Sequence, residues 1–82
     1  MKTLFVANLG AKTTEDAVRS VFETQGKIDD VQIGRDPASG VSRGVAFVRI
    51  DDPKLAATMA KSMTGILIEG RSIRVSLLSR NH

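Results

Sequence analysis

Phe5 and Phe47 are flat apolar rings, each set in a β-prone run, Lys2–Ala7 and Gly44–Ile50. Arg43, Arg49 and Arg74 place guanidinium groups in or beside such runs, and Arg80 follows in the tail. A ring offers a π-face to any nucleobase and a guanidinium offers donors to a phosphate. Interleaved, the two suit a ligand that carries both, a single-stranded nucleic acid. Any one of these arginines alone is an ordinary solvated charge; the group with two rings carries the reading. The remaining candidates for chemistry are weaker. Asp29-Asp30 and Asp51-Asp52 have the form of paired carboxylates, but the first pair opens a strand and the second stands where a helix begins, a capping position. The one histidine is His82, the last residue, and there is no cysteine. No Gly-rich phosphate loop and no nucleophile–histidine arrangement occurs. The residues predict a binding domain, not an enzyme, with no metal or other cofactor.

Whether the rings can serve a ligand depends on the elements that hold them. Lys2–Ala7 reads as a strand ended by Asn8-Leu9-Gly10. Thr13-Thr14-Glu15-Asp16 is a helix start in which either threonine can cap, and the two acids favour the positive end of the helix dipole. Ala17, Val18, Val21 and Phe22 then repeat at helical spacing up to a stop at Gly26. Phe22, the third phenylalanine, falls on that apolar face and is read as core. Lys27–Gly34 reads as a strand with Ile28, Val31 and Ile33 as its apolar positions, and Arg35–Gly40 as a turn-rich loop. After the strand Gly44–Ile50, Asp52 caps a second helix with proline at its first position. Leu55, Ala56, Met59, Ala60 and Met63 form its apolar face, and Gly65 ends it. Ile66–Gly70 reads as a short turn or hairpin and Arg71–Leu77 as the last strand. The order strand, helix, strand, strand, helix, strand predicts a ferredoxin-like α+β sandwich, a four-stranded antiparallel sheet with both helices on one face.

Two helices cover one face of such a sheet and leave the other open. Side chains alternate along a strand. Leu4 and Val6 share a side with the helices if Ala46, Val48 and Ile50 do, and then Phe5, Val45, Phe47 and Arg49 point the other way. Arg74, alternating with Ile73 and Val75, joins them. An exposed apolar patch of this kind marks a binding surface, unless a further helix or a second copy of the chain covers it. Charge agrees. The chain carries 12 basic and 9 acidic residues, a net +3, yet the first helical segment holds −2 and the second 0, which leaves +5 for the sheet and loops.

The residues also match a known family. Leu4-Phe5-Val6-Ala7-Asn8-Leu9 resembles the hexamer motif of the RNA recognition motif (RRM) family, and Arg43-Gly44-Val45-Ala46-Phe47-Val48-Arg49-Ile50 resembles its octamer. The resemblance spans essentially the whole chain and is similar to stand-alone members of the family, although the same sequence also fits a domain cut from a longer protein. It implies that Phe5 and Phe47 each stack a base and that Arg43 contacts a phosphate. It also implies that Asn8 fixes a loop, and that Gly44 and Ala46 must be small where they face the helices. Val45 departs from the pattern, which usually has an aromatic there between two sugars, and Ile50 replaces a final aromatic on the core side. Asp30, by alternation with Val31, reaches the open face and adds a negative charge that opposes phosphates.

At 82 residues the chain is expected to be one domain, residues 1–82, a monomer or weak homodimer. No leader of secretory type opens it and no apolar run approaches the roughly 20 residues of a membrane span. The expected location is the cytoplasm, or the nucleus in a eukaryote. The expected partner is single-stranded RNA, with single-stranded DNA as a variant. The expected role is RNA processing, stability or translation control, and the rival reading is a protein–protein interaction module on the same fold. Strand edges and the tail Leu77–His82 are expected to supply base-edge and 2′-hydroxyl contacts.

Overall fold

A computed structural model of the chain describes residues 2–78; Arg80 and most of the tail to His82 lie outside the described residues. The elements follow the expected order: β1 (Lys2–Ala7), α1 (Glu15–Phe22), β2 (Asp30–Arg35), β3 (Ser42–Ile50), α2 (Pro53–Ser62), a small hairpin of β4 (Leu67–Ile68) and β5 (Arg71–Ser72), and β6 (Arg74–Leu77). Four of the strands pair antiparallel in the order β2-β3-β1-β6, so the strands bearing Phe5 and Phe47 are the two central ones. α1 packs on β2, and α2 packs on β1, β3 and β6, all against the same face.

Alternation decides which residues meet the helices. Leu4 and Val6 of β1, Val31 and Ile33 of β2, Ala46, Val48 and Ile50 of β3, and Val75 of β6 are all buried. They close on Val18 and Phe22 of α1 and Ala56 and Met59 of α2 in one apolar core. Burying a side chain of this size contributes about 1.5–3 kcal/mol, so this layer supplies most of the fold's driving force.

The helix starts follow local chemistry. Thr14 is the cap of α1, its hydroxyl accepting from the Ala17 N–H at 3.2 Å. Thr13 turns inward instead, where its buried hydroxyl donates to Glu69 Oε1 at 2.6 Å. Asp52 caps α2, its carboxylate accepting from the N–H groups of Lys54 (2.9 Å) and Leu55 (3.3 Å). Asp52→Ala leaves both donors without that partner and is expected to cost about 1 kcal/mol. A urea unfolding curve checks it, and an unmoved midpoint would show that the cap contributes nothing.

Several boundaries differ from the sequence reading; α2, for instance, stops at Ser62 with Met63 as its C-cap, short of Gly65, and β2 runs on to Arg35. α1 stops at Phe22 because the Thr24 hydroxyl donates to the Val21 carbonyl at 2.7 Å and the chain tightens into a turn. β2 begins at Asp30 rather than Lys27. Ile28 is buried as expected, but its carbonyl accepts from the Arg19 guanidinium at 3.2 Å instead of joining a ladder. β3 starts two residues earlier, at Ser42, because Arg35 pairs back onto Ser42 across a register shift after Gly34. The run Arg71–Leu77 is split at Ile73: β5 folds back on β4, and only from Arg74 does the chain pair with β1. The β4–β5 turn holds Glu69 at φ 51° and Gly70 at φ 82°, the two positive values that a tight two-residue hairpin requires.

Candidate nucleic-acid interface

Register on the side away from the helices sets out a small grid. Across β2, β3, β1 and β6, the central row reads Gln32, Phe47, Phe5, Ser76. One row toward one end of the strands reads Gly34, Val45, Ala7, Arg74. The row toward the other end reads Asp30, Arg49 and Thr3, with the Leu78 N–H donating to the Thr3 carbonyl at 2.9 Å.

Phe5 and Phe47 stand directly opposite one another. Their ring centroids are 5.6 Å apart and the planes are inclined at 55°. That is a favourable aromatic pair, and it holds each ring in place before any ligand arrives. The rings are half-buried rather than fully exposed, since each shields the other. Val45 is also half-buried. A Cβ at Gly34 would come within 2.6 Å of Val45 Cγ2, so Val45 leans over the space that glycine leaves. Arg43, Arg49 and Arg74 are all exposed. Phe5, Ala7, Thr64, Arg74, Val75 and Ser76 line a shallow depression of about 350 Å³ on the β6 side of the rings.

The end of the sheet near Ala7 is held by a clasp between distant parts of the chain. Asn8 sits at φ 68°, and its side-chain amide donates to the Ser72 carbonyl at 2.7 Å. Arg71 donates to both the Asn8 backbone carbonyl (3.1 Å) and its Oδ1 (2.9 Å). The Leu9 N–H donates to the Gly44 carbonyl at 2.9 Å. Asn8 therefore fixes the loop as expected. Gly44 is small for a different reason than facing the helices: at φ 76°, a Cβ there would stand 2.9 Å from the Leu9 carbonyl oxygen. This junction sets the position of Arg43, beside Gly44, relative to Arg74.

The acidic pairs are largely engaged with backbone. Asp29 Oδ2 accepts from the Asp51 N–H at 2.6 Å, and Asp52 caps α2. Asp30 is different: it is exposed, and it lies on the open face opposite Arg49.

The expected site residues Phe5, Phe47, Val45, Arg49 and Arg74 thus share one face, and Arg43 stands at the mouth of β3. Three neighbours were not anticipated. Ser76, opposite Phe5, and Gln32, opposite Phe47, follow from extending the same alternation to β6 and β2. Arg71 had no local signal, because its partner Asn8 is 63 residues away.

A four-stranded antiparallel sheet with two helices on one face and paired aromatics on the other defines a class of small α+β binding domain. The chain belongs to the RNA recognition motif family, whose pattern matches residues 4–74. It is 42% identical over 77 residues to serine/arginine-rich splicing factor 8 of Homo sapiens, covering 94% of this chain and 27% of that protein. It is equally 42% identical over 77 residues to serine/arginine-rich splicing factor 2 of Gallus gallus, where the match covers 94% of this chain and 35% of the relative. The chain therefore spans only about a third of the length of these curated relatives. Among solved structures, the second RRM domain of the yeast poly(U)-binding protein Pub1 superposes with a TM-score of 0.89 at 24% identity, covering 100% of this chain and 99% of that one. The structure of the Rna15 RRM with bound RNA (GU) superposes at 0.81 and 19% identity, covering 95% and 83%. These likenesses confirm the fold.

Proposed function

We propose that this domain binds single-stranded RNA by stacking two bases on Phe5 and Phe47, and that it is a binding module rather than an enzyme. Arg43 and Arg74 serve the phosphates, Val45 touches a sugar, and Arg49 lies at the far end of the bases. The observation that carries this reading is the Phe5–Phe47 pair, two rings side by side on the sheet face that the helices leave uncovered. Each stacked base contributes about 1–3 kcal/mol, which together with a few phosphate contacts supports two to four nucleotides at about micromolar affinity. The splicing-factor names of the relatives favour RNA processing as the setting. We take residues 1–82 as one domain, a monomer or weak homodimer, in the nucleus or the cytoplasm.

Equilibrium binding to a randomised RNA pool and a matched DNA pool, at two salt concentrations, tests the reading. Micromolar RNA binding that weakens as salt rises is expected, since each phosphate contacted adds about −0.7 to the slope of log K against log salt. No binding of either pool overturns it. Val45→Phe adds the ring that the family's pattern usually has there, into the space above Gly34, and is expected to tighten RNA binding several-fold. A dissociation constant that stays level or rises would show that position 45 makes no ligand contact.

A further inference from the structure

The open face carries its charges unevenly, and this sets which way a bound nucleotide points. At one end of the strands lie Arg74, opposite Ala7, Arg43 at the start of β3, and Arg71 clasping Asn8. At the other, Asp30 stands opposite Arg49 and Arg49 opposite Thr3. Asp30 is the one acid in the described rows of this face. A polyanionic backbone is drawn to the arginine end and held off from the end with the carboxylate. The Watson–Crick edge of a base lies away from its sugar. A base stacked on Phe47, with its sugar toward Val45 and Arg43, therefore turns that edge to the Asp30 end.

Two side chains of β2 wait there. Gln32 is directly opposite Phe47, and Asp30 lies two residues before it on the same face. Direct cross-strand neighbours are about 5 Å apart and diagonal ones about 7–8 Å, within reach of the rim of a ring lying on Phe47. Both are exposed, and neither side chain is engaged with another described residue in a hydrogen bond or ion pair.

We propose that Asp30, with Gln32, reads the Watson–Crick edge of the base stacked on Phe47 and selects guanine over uracil there. The proposal rests on the RNA-binding reading above and names the nucleotide. An ionised carboxylate only accepts hydrogen bonds. Guanine presents two adjacent donors, N1–H and N2–H, which one carboxylate accepts in parallel, and an O6 acceptor for the Gln32 amide or the Arg49 guanidinium. Uracil presents one N–H between two carbonyl oxygens, so the carboxylate meets a lone pair beside the single donor. Cytosine and adenine each present one amino group and fall between. Single-stranded RNA leaves these edges free to be read.

Four oligouridine pentamers with G, C, A or U at the centre, titrated at fixed salt against the wild type and Asp30→Ala, test this. The G pentamer is expected to bind the wild type about tenfold tighter than the all-U pentamer, the size of one good two-bond contact. Asp30→Ala is expected to erase that difference by weakening G while leaving U level or tighter, with an unchanged circular dichroism spectrum. Loss of fold alone would weaken all four together. If some pentamers bind but the wild type does not favour G, or Asp30→Ala keeps the preference, the selection by Asp30 is overturned and RNA binding stands. If no pentamer binds, the RNA-binding reading falls and this inference with it.

Discussion

Phe47→Ala is expected to weaken binding of a short single-stranded RNA by about tenfold or more while the domain stays folded. The ring belongs to the uncovered face, so removing it takes away a stacking platform without opening the core. Losing one base–aromatic stack costs about 1–3 kcal/mol, and 1.4 kcal/mol is a factor of ten in affinity. The fold pays less, since the ring is half-buried and its main neighbour in this respect is Phe5, an aromatic contact of about 0.5–1.5 kcal/mol. Fluorescence anisotropy with a labelled oligonucleotide reads the first effect and a thermal melt the second. Equal affinities for the two proteins would remove Phe47 from the site.

Phe22→Ala is expected to do the opposite. Its side chain is fully buried between α1 and the sheet. Removing it leaves a cavity in the core and costs about 3–5 kcal/mol. Domains in general hold only about 5–15 kcal/mol, and one this small sits toward the lower end. The variant is expected to unfold at much lower urea concentration and to lose RNA binding only in proportion to the unfolded fraction. A loss of stability below about 1 kcal/mol would contradict the placement of Phe22 in the core. The two phenylalanines thus occupy opposite sides of the sheet: one ring is buried in the core, the other stands on the face the helices leave uncovered.

That separation was legible in the sequence because it depends on period alone. Alternation along Lys2–Ala7 and Gly44–Ile50 assigned Leu4, Val6, Ala46, Val48 and Ile50 to the helix side, and all five are buried. Helical spacing placed Phe22 inward. What alternation does not contain is register. That Phe5 stands opposite Phe47, and Gln32 beside it, depends on how β1, β2 and β3 slide against one another, and pairing across a sheet settles that only once the core has packed. The missed boundaries share a cause as well. Thr24 ends α1 by taking the Val21 carbonyl, and Arg19 keeps the Ile28 carbonyl out of β2, both through side chains competing for backbone groups. The clasp of Arg71 on Asn8 is a tertiary contact with no local trace. It shows how the two basic positions near it, Arg43 and Arg74, come to flank one end of the open face.

The most direct measurement is of the rings themselves. Proton NMR of the Phe5 and Phe47 side chains, followed as a short guanine-containing single-stranded RNA is added, is expected to show upfield shifts of both rings and base-to-ring nuclear Overhauser contacts. Unmoved ring signals, with changes confined to α1 and α2, would contradict stacking on the sheet and point instead to a surface on the helices.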